Sequence, residues 1–200
     1  MICEGTGVPS GSESDYERIT AHGVIAVEPQ PSCVKELKAR FAHNDRVMVV
    51  PVALGANEGS AEFFLREQTW LSGFIEEMED RENVGSILVP IKTLDQLITT
   101  YGKPKYLKID VEGYELPVNM GLNSKIELIS FEHCLNEGDY AAKLRIIEYL
   151  KRFGVLRLAL LRDRAADWTV PWAELEDFLT VFPGGIPNEA GVGDIFVQIT

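Results

Sequence analysis

Short, continuous apolar runs alternate along the chain with stretches in which apolar residues recur at every third or fourth position. That alternation predicts strands and helices in turn, and therefore a mostly parallel sheet. Val24–Val27 is an apolar run ending at Glu28 and Pro29, which reads as a strand buried on both faces. Ser32 as N-cap, with Val34, Leu37 and Phe41 at helical spacing, predicts the helix behind it. Val47–Val50 forms the next strand and runs into Pro51, Val52, Ala53 and Leu54. Residues 88–91 read as an edge strand, and Leu94, Leu97 and Ile98 mark a short helix with Thr93 as N-cap. Strands follow over 106–109, ending at Asp110, and over 126–131, ending at Glu132 and His133. A helix from about Tyr140 carries Leu144, Ile147, Leu150 and Phe153 on one face, with Gly154 at its C-terminal turn. The last strands are 155–161 and 195–199, separated by a helix that begins near Trp172. Residues 66–87 are polar and irregular apart from Trp70, Leu71, Phe74 and Ile75. A structureless stretch of that length is more often a functional lid than a connector.

Composition narrows the function classes. Two hundred residues without internal repeats fit one domain spanning 1–200, long enough to bury about 70% of its unfolded surface. The 46% hydrophobic and 25% charged content is that of a soluble globular protein, and no apolar run approaches a membrane span. No signal-peptide pattern opens the sequence, so a cytoplasmic location is expected. Cys3, Cys33 and Cys134 are odd in number and widely spaced, which predicts reduced thiols and neither a disulfide framework nor a zinc site. A net charge of −12 argues against nucleic acid, whose phosphates need a basic stripe. A small-molecule acceptor remains.

Three predicted strands end in carboxylates: Glu28, Asp110 and Glu132. Ligands of open α/β sheets bind at the carboxyl ends of strands, and an acid at the end of the second strand can accept both hydroxyls of an adenosine ribose. Ile2, Cys3 and Glu4 form a candidate first strand leading into Gly5, Thr6 and Gly7, followed by Gly11, where backbone can approach a ligand. This loop lacks the G-x-G-x-x-G spacing, and Pro9 removes an N–H, which counts against a pyrophosphate cradle and a nicotinamide cofactor. Lys108 lies inside an otherwise apolar strand and requires an acidic partner, and Asp110 shares its side of the strand.

The segment LKIDVEGYE at 107–115 resembles the signature of the FkbM-type methyltransferases. The resemblance extends in order through VIAVEPQP (24–31), VPVALGANEGSAEFF (50–64), PIKTLDQLI (90–98), ISFEHC (129–134) and GDIFVQ (193–198). It implies an α/β, Rossmann-like seven-stranded methyltransferase fold, mostly parallel in the order 3-2-1-4-5-7-6, with the last strand antiparallel and helices on both faces. It implies S-adenosylmethionine as cofactor and O-methylation of a hydroxyl on a small metabolite, sugar or polyketide-like acceptor. By the family pattern Gly5, Thr6, Gly7, Glu28 and Pro29 meet the cofactor, backbone near Val52 and Ala53 meets the adenine, and Asp110 faces the methionine end. The family's first loop usually reads D-x-G-A-N-x-G, whereas Cys3 and Gly7 stand here at the Asp and Asn positions. A catalytically weak or inactive ligand-binding or partner-binding protein on the same fold is therefore the rival reading.

An alcohol acceptor must lose a proton, and His133 is the candidate base, with Asp110, Glu112 and Glu132 orienting it or the acceptor. The carboxylates are compatible with Mg²⁺, although no spacing selects a metal. Trp70 and Ser72 on the long excursion are candidate substrate contacts, and an exposed sheet edge would allow a dimer.

Overall fold

The computed structural model describes residues 2–4, 23–76, 82–134, 137–162, 165, 167–182 and 192–200. Gly5, Thr6 and Gly7 lie outside the described residues, as does the side chain of Trp70.

The strands are β1 (Ile2–Glu4), β2 (Val24–Val27), β3 (Val47–Val50), β4 (Ala53–Leu54), β5 (Gly59–Arg66), β6 (Asn83–Lys92), β7 (Tyr106–Asp110), β8 (Leu128–Cys134), β9 (Leu156–Arg162), β10 (Val170–Glu174) and β11 (Val192–Ile199). The helices are α1 (Pro31–Arg40), α2 (Leu94–Tyr101), α3 (Glu115–Met120), α4 (Glu137–Leu150) and α5 (Leu175–Val181). Eight strands form the main sheet in the order β10-β9-β11-β8-β7-β1-β2-β3. The stretch from β8 through β7, β1 and β2 to β3 is parallel, and β11 is antiparallel to both of its neighbours.

The expected count of seven is thus corrected to eight. From β3 to β9 the order is the expected one, and β10 is added at the edge beyond β9. It occupies the place where a helix from Trp172 was predicted. Val170 is buried and pairs with Leu160, Pro171 falls at a register shift, and Trp172 packs on Trp168 with ring centroids 5.7 Å apart. A proline at an edge-strand irregularity costs no ladder hydrogen bond, so the strand survives it. The helix starts only at Leu175.

A second sheet has the order β4-β6-β5. Residues 88–91 are therefore part of a ten-residue central strand and not an edge, because β6 pairs with β4 on one side and with β5 on the other. Of the stretch expected to be irregular, residues 83–87 belong to β6 and Arg66 closes β5. This sheet has its own small core of Ala53, Phe63, Val89 and Ile91. Phe74 joins it to the main body, packing edge-on against Phe63 at 5.4 Å and against Tyr114 at 4.6 Å. Gly121 permits a second close approach, since a Cβ there would stand 2.3 Å from the carbonyl oxygen of Gly55.

Local signals explain the helix starts. Thr93 is the N-cap of α2, as predicted, and forms a reciprocal capping box with Gln96. At α1 the N-cap is Gln30, not Ser32, because Pro31 occupies the first helical position, where its missing N–H is harmless. In α4 the buried face is Lys143, Ile146, Ile147 and Leu150, while Leu144 is exposed. The predicted apolar stripe is rotated by one position because a lysine has been drawn inside. Among the described residues no helix is long and apolar enough to cross a membrane.

Candidate functional site

Strand β7 alternates cleanly: Leu107 and Ile109 are fully buried, while Tyr106, Lys108 and Asp110 are half-buried on the other face. The expectation of burial on both faces is replaced by one apolar face and one polar face. Register carries the polar face across the sheet. Val27 pairs with Cys3 and Glu4 pairs with Asp110, so Glu28 and Asp110 stand level on either side of β1. A strand spacing of about 4.8 Å sets their backbones roughly 10 Å apart. Ile109 pairs with Phe131, which brings Glu132 level with Asp110, and Glu132 pairs directly with Asp194. Among residues whose side chains are described, Glu28, Asp110, Glu132 and Asp194 thus stand at one level along one rim.

Lys108 is the cation set against this row. Its Nζ lies 3.4 Å from Asp110 Oδ2 and 3.5 Å from Asp194 Oδ2, so the partner inferred for it is present together with a second one that no local pattern reveals. Beyond Asp110 the chain turns sharply, with Glu112 at φ +50° and Gly113 at φ +90°. A non-glycine residue in that region costs about 1–2 kcal/mol, so surrounding bonds must hold it there. The turn returns Glu112 to the rim. Carboxylate oxygens of Asp110, Glu112 and Glu132 all lie within 4.8 Å of one another.

Crowding like charges in a partly enclosed place favours the protonated forms. Burial, followed by the carboxylates of Asp110, Glu112 and Glu115, pushes Glu132 up to about 9. Burial also raises Asp110, and the Lys108 ammonium pulls it part of the way back. The Cys134 thiol is pushed up to about 12 by burial and then by Glu132, and is therefore neutral, as expected of an idle thiol.

Behind the rim lies a buried charge network that the sequence did not announce. Glu115 accepts the N–H groups of Val111 (3.3 Å) and Gly113 (3.1 Å) on Oε1, and Lys143 Nζ on Oε2 at 2.7 Å. Lys143 also reaches Asp139 Oδ1 at 2.9 Å. Asp139 Oδ2 in turn meets His133 Nδ1 at 2.5 Å and accepts the Cys134 N–H at 2.8 Å. Burial alone would lower the Lys143 ammonium, but the two carboxylates outweigh it and raise it. For Asp139 burial is likewise overcome, by the His133 hydrogen bond and by Lys143, and its carboxyl sits below the usual range.

His133 requires a correction. It alternates with Glu132 and so points to the opposite face of β8, where it is 1% exposed and enclosed by the rings of Tyr140 and Phe182. An imidazole closed in that way cannot take a proton from an acceptor at the rim. Ser72 is corrected on the same ground: it is fully buried, and its Oγ accepts the Arg66 N–H at 3.0 Å. Trp70 contributes its backbone to the short 3-10 turn Thr69–Leu71. Glu28 is buried with Oε1 turned onto the Gln30 N–H at 2.7 Å. Pro29 lines an apolar groove with Pro31, Val34, Pro51 and Leu88. The N–H of Val52 donates to Val50, and Ala53 is enclosed in the second core.

The methyltransferase FkbM domain profile matches residues 7–156. The chain belongs to the FkbM methyltransferase family. No curated protein matches it. Among solved structures it is similar to a methyltransferase FkbM from Methylobacillus flagellatus KT, at 12% identity and a TM-score of 0.50, over 88% of this chain and 36% of that one. It is also similar to a precorrin-6y C5,15-methyltransferase from Geobacter metallireducens GS-15, at 10% identity and a TM-score of 0.39, over 89% of this chain and 67% of that one. This chain thus spans about a third of the Methylobacillus protein, and at 12% identity that likeness concerns the fold.

Of the residues read from the sequence, Asp110, Glu112 and Glu132 converge, and Glu28 is level with them across β1. Glu115, Asp139, Lys143 and Asp194 were missed. The Asp139–Lys143 pair has i, i+4 spacing, and Lys143, Ile146, Ile147 and Leu150 share a helical face, but neither pattern says that a lysine will be buried.

Proposed function

We propose that this FkbM-family protein binds S-adenosylmethionine along the acidic rim and methylates a hydroxyl of a small, sugar-like or polyketide-like acceptor. The observation that carries the reading is the row itself: Glu28, Asp110, Glu132 and Asp194 stand at one level beside Lys108, and Glu112 joins Asp110 and Glu132 in a converging trio. Such a donor set suits a cation, and Glu28, Asp110 and Glu132 lie toward the carboxyl ends of parallel strands, where this class of sheet binds ligands. When bound, the cofactor supplies a methyl group already activated on a sulfonium. In this reading Glu28 holds the ribose, the backbone around Pro29 and Val52–Ala53 borders the adenine, and Asp110 faces the methionine end.

The proton falls to the rim and not to His133. Positive charge beside the row favours the ionised form of Glu132, which would turn a carboxyl that is neutral in the free protein into a base. Asp110 and Glu112 would orient the acceptor, since alignment is the larger part of an in-line displacement. The carboxylate trio also offers oxygen ligands to a divalent cation, and a metal-assisted reading follows from that grouping.

Calorimetric titration of the protein with S-adenosylmethionine tests the proposal, with EDTA or Mg²⁺ as parallel arms. Saturable binding that Asp110→Asn weakens about tenfold is expected. No heat at millimolar cofactor in any arm would sink the enzyme reading and favour the catalytically inactive alternative.

A further inference from the structure

We infer that Glu115 is the positioning residue of the acidic rim: it braces the turn that aims Glu112 at Asp110 and Glu132, and ties that turn through Lys143 and Asp139 to the end of β8. The link to methyl transfer rests on the reading above, but the geometry stands on its own.

Two consecutive residues with positive φ, Glu112 and Gly113, leave the N–H groups of Val111 and Gly113 facing inward. Glu115 takes both on one oxygen. Its other oxygen binds an ammonium that is itself 2% exposed, so the carboxylate cannot swing away without leaving Lys143 half-paired in the core. Lys143 then holds Asp139, which accepts from the backbone of Cys134 and meets the ring of His133. The turn after β7 and the last residues of β8 are thereby fixed relative to each other, and those segments carry Glu112 and Glu132, with Asp110 closing β7 just before the turn. Arranged this way, His133 is an anchor in the brace, and the otherwise unexplained final glutamate of the LKIDVEGYE segment has a task. Glu115 never reaches the rim itself, and therefore acts through Glu112.

The measurement is carboxyl-carbon NMR of the full-length protein, following the titration of Glu132 in wild type, Glu115→Gln and Glu115→Ala. Glutamine keeps an oxygen for both N–H groups, so the crowding of Glu132 persists apart from the lost charge of residue 115. Alanine releases the turn, and the Glu132 titration should drop by about a further unit as Glu112 moves off. Equal titration in the two variants would overturn the inference. Hydrogen exchange on the wild-type protein gives a second measurement that needs no variant. The Val111 and Gly113 amides should exchange about a hundredfold slower than exposed amides, and rapid exchange at both would also overturn the inference. Binding of S-adenosylmethionine relative to S-adenosylhomocysteine is read separately. If wild type binds neither at millimolar ligand, the methyl-donor reading fails while the brace is still judged by its amides.

Discussion

Replacing Lys143 by methionine removes a buried ammonium and keeps nearly its volume, leaving the carboxylates of Glu115 and Asp139 to face each other in the core. Both ion pairs are short, 2.7 and 2.9 Å, and the lysine is 2% exposed, so little water stands by to take its place. Breaking a buried pair from one side costs about 3–5 kcal/mol, because the surviving charge is stranded. Glu115 keeps two N–H donors and Asp139 keeps His133 and the Cys134 N–H, which places the expected loss near the lower end, about 3 kcal/mol. In a chain of this length that corresponds to a fall in Tm of roughly 6–12 °C.

The loss should depend on pH in a defined way. The raised Lys143 contributes stability that is complete below its unfolded value near 10.4 and disappears as pH climbs through the folded one. The lowered Asp139 contributes above about 3.9 and loses its share as pH falls through its folded value. Urea unfolding of wild type and variant should therefore show the full gap around neutrality, narrowing toward pH 3 as Asp139 protonates. Adding Glu115→Gln to the lysine variant should recover part of the loss, since the stranded charge is then gone. A gap below about 1 kcal/mol at pH 7 would refute the claim that these charges are desolvated and mutually dependent.

Two further outcomes follow from the same geometry. Native Glu132 holds its proton over a range in which the unfolded chain has lost it, so wild-type stability should decline as pH rises from about 4.5 toward 9. Glu132→Gln should flatten that slope and, at pH 8, exceed wild type by about 1–2 kcal/mol in urea melts, after allowance for solvent screening; a variant less stable than wild type at pH 8 contradicts the crowding. Gly121→Ala sets a methyl 2.3 Å from the Gly55 carbonyl oxygen, between two backbones that cannot both yield, and should cost about 3 kcal/mol by thermal melting; a neutral substitution would mean that the contact between the two sheets is looser than described.

Much of the fold was legible in the pattern of residues. Apolar residues marked β2, β3, β7 and β8 because each of these strands turns at least one face to the core, and Thr93 marked a helix start because its side chain can accept a backbone N–H of the first turn. Strands β5 and β10 were not seen as strands. Ser60 and Glu62 interrupt the first, Pro171 the second, and their ladders are completed by partners distant in sequence.

For the site, the sequence by itself picked out Glu28, Asp110 and Glu132 as acids following apolar runs, and a parallel sheet brings such segments to one rim, although β8 continues past Glu132 to Cys134. The LKIDVEGYE segment likewise contained its own turn, because Gly113 sits where φ is positive. Only the tertiary structure decided which face each side chain takes and who is paired inside. Alternation along β8 sends Glu132 to the rim and His133 into an aromatic enclosure, a difference of one position that composition cannot resolve. Lys143 looks like a solvent-facing helix residue until Glu115 and Asp139 converge on it, 28 residues away and one helical turn away respectively. Burial of a charge is a property of its partners, and those partners are assembled by the fold.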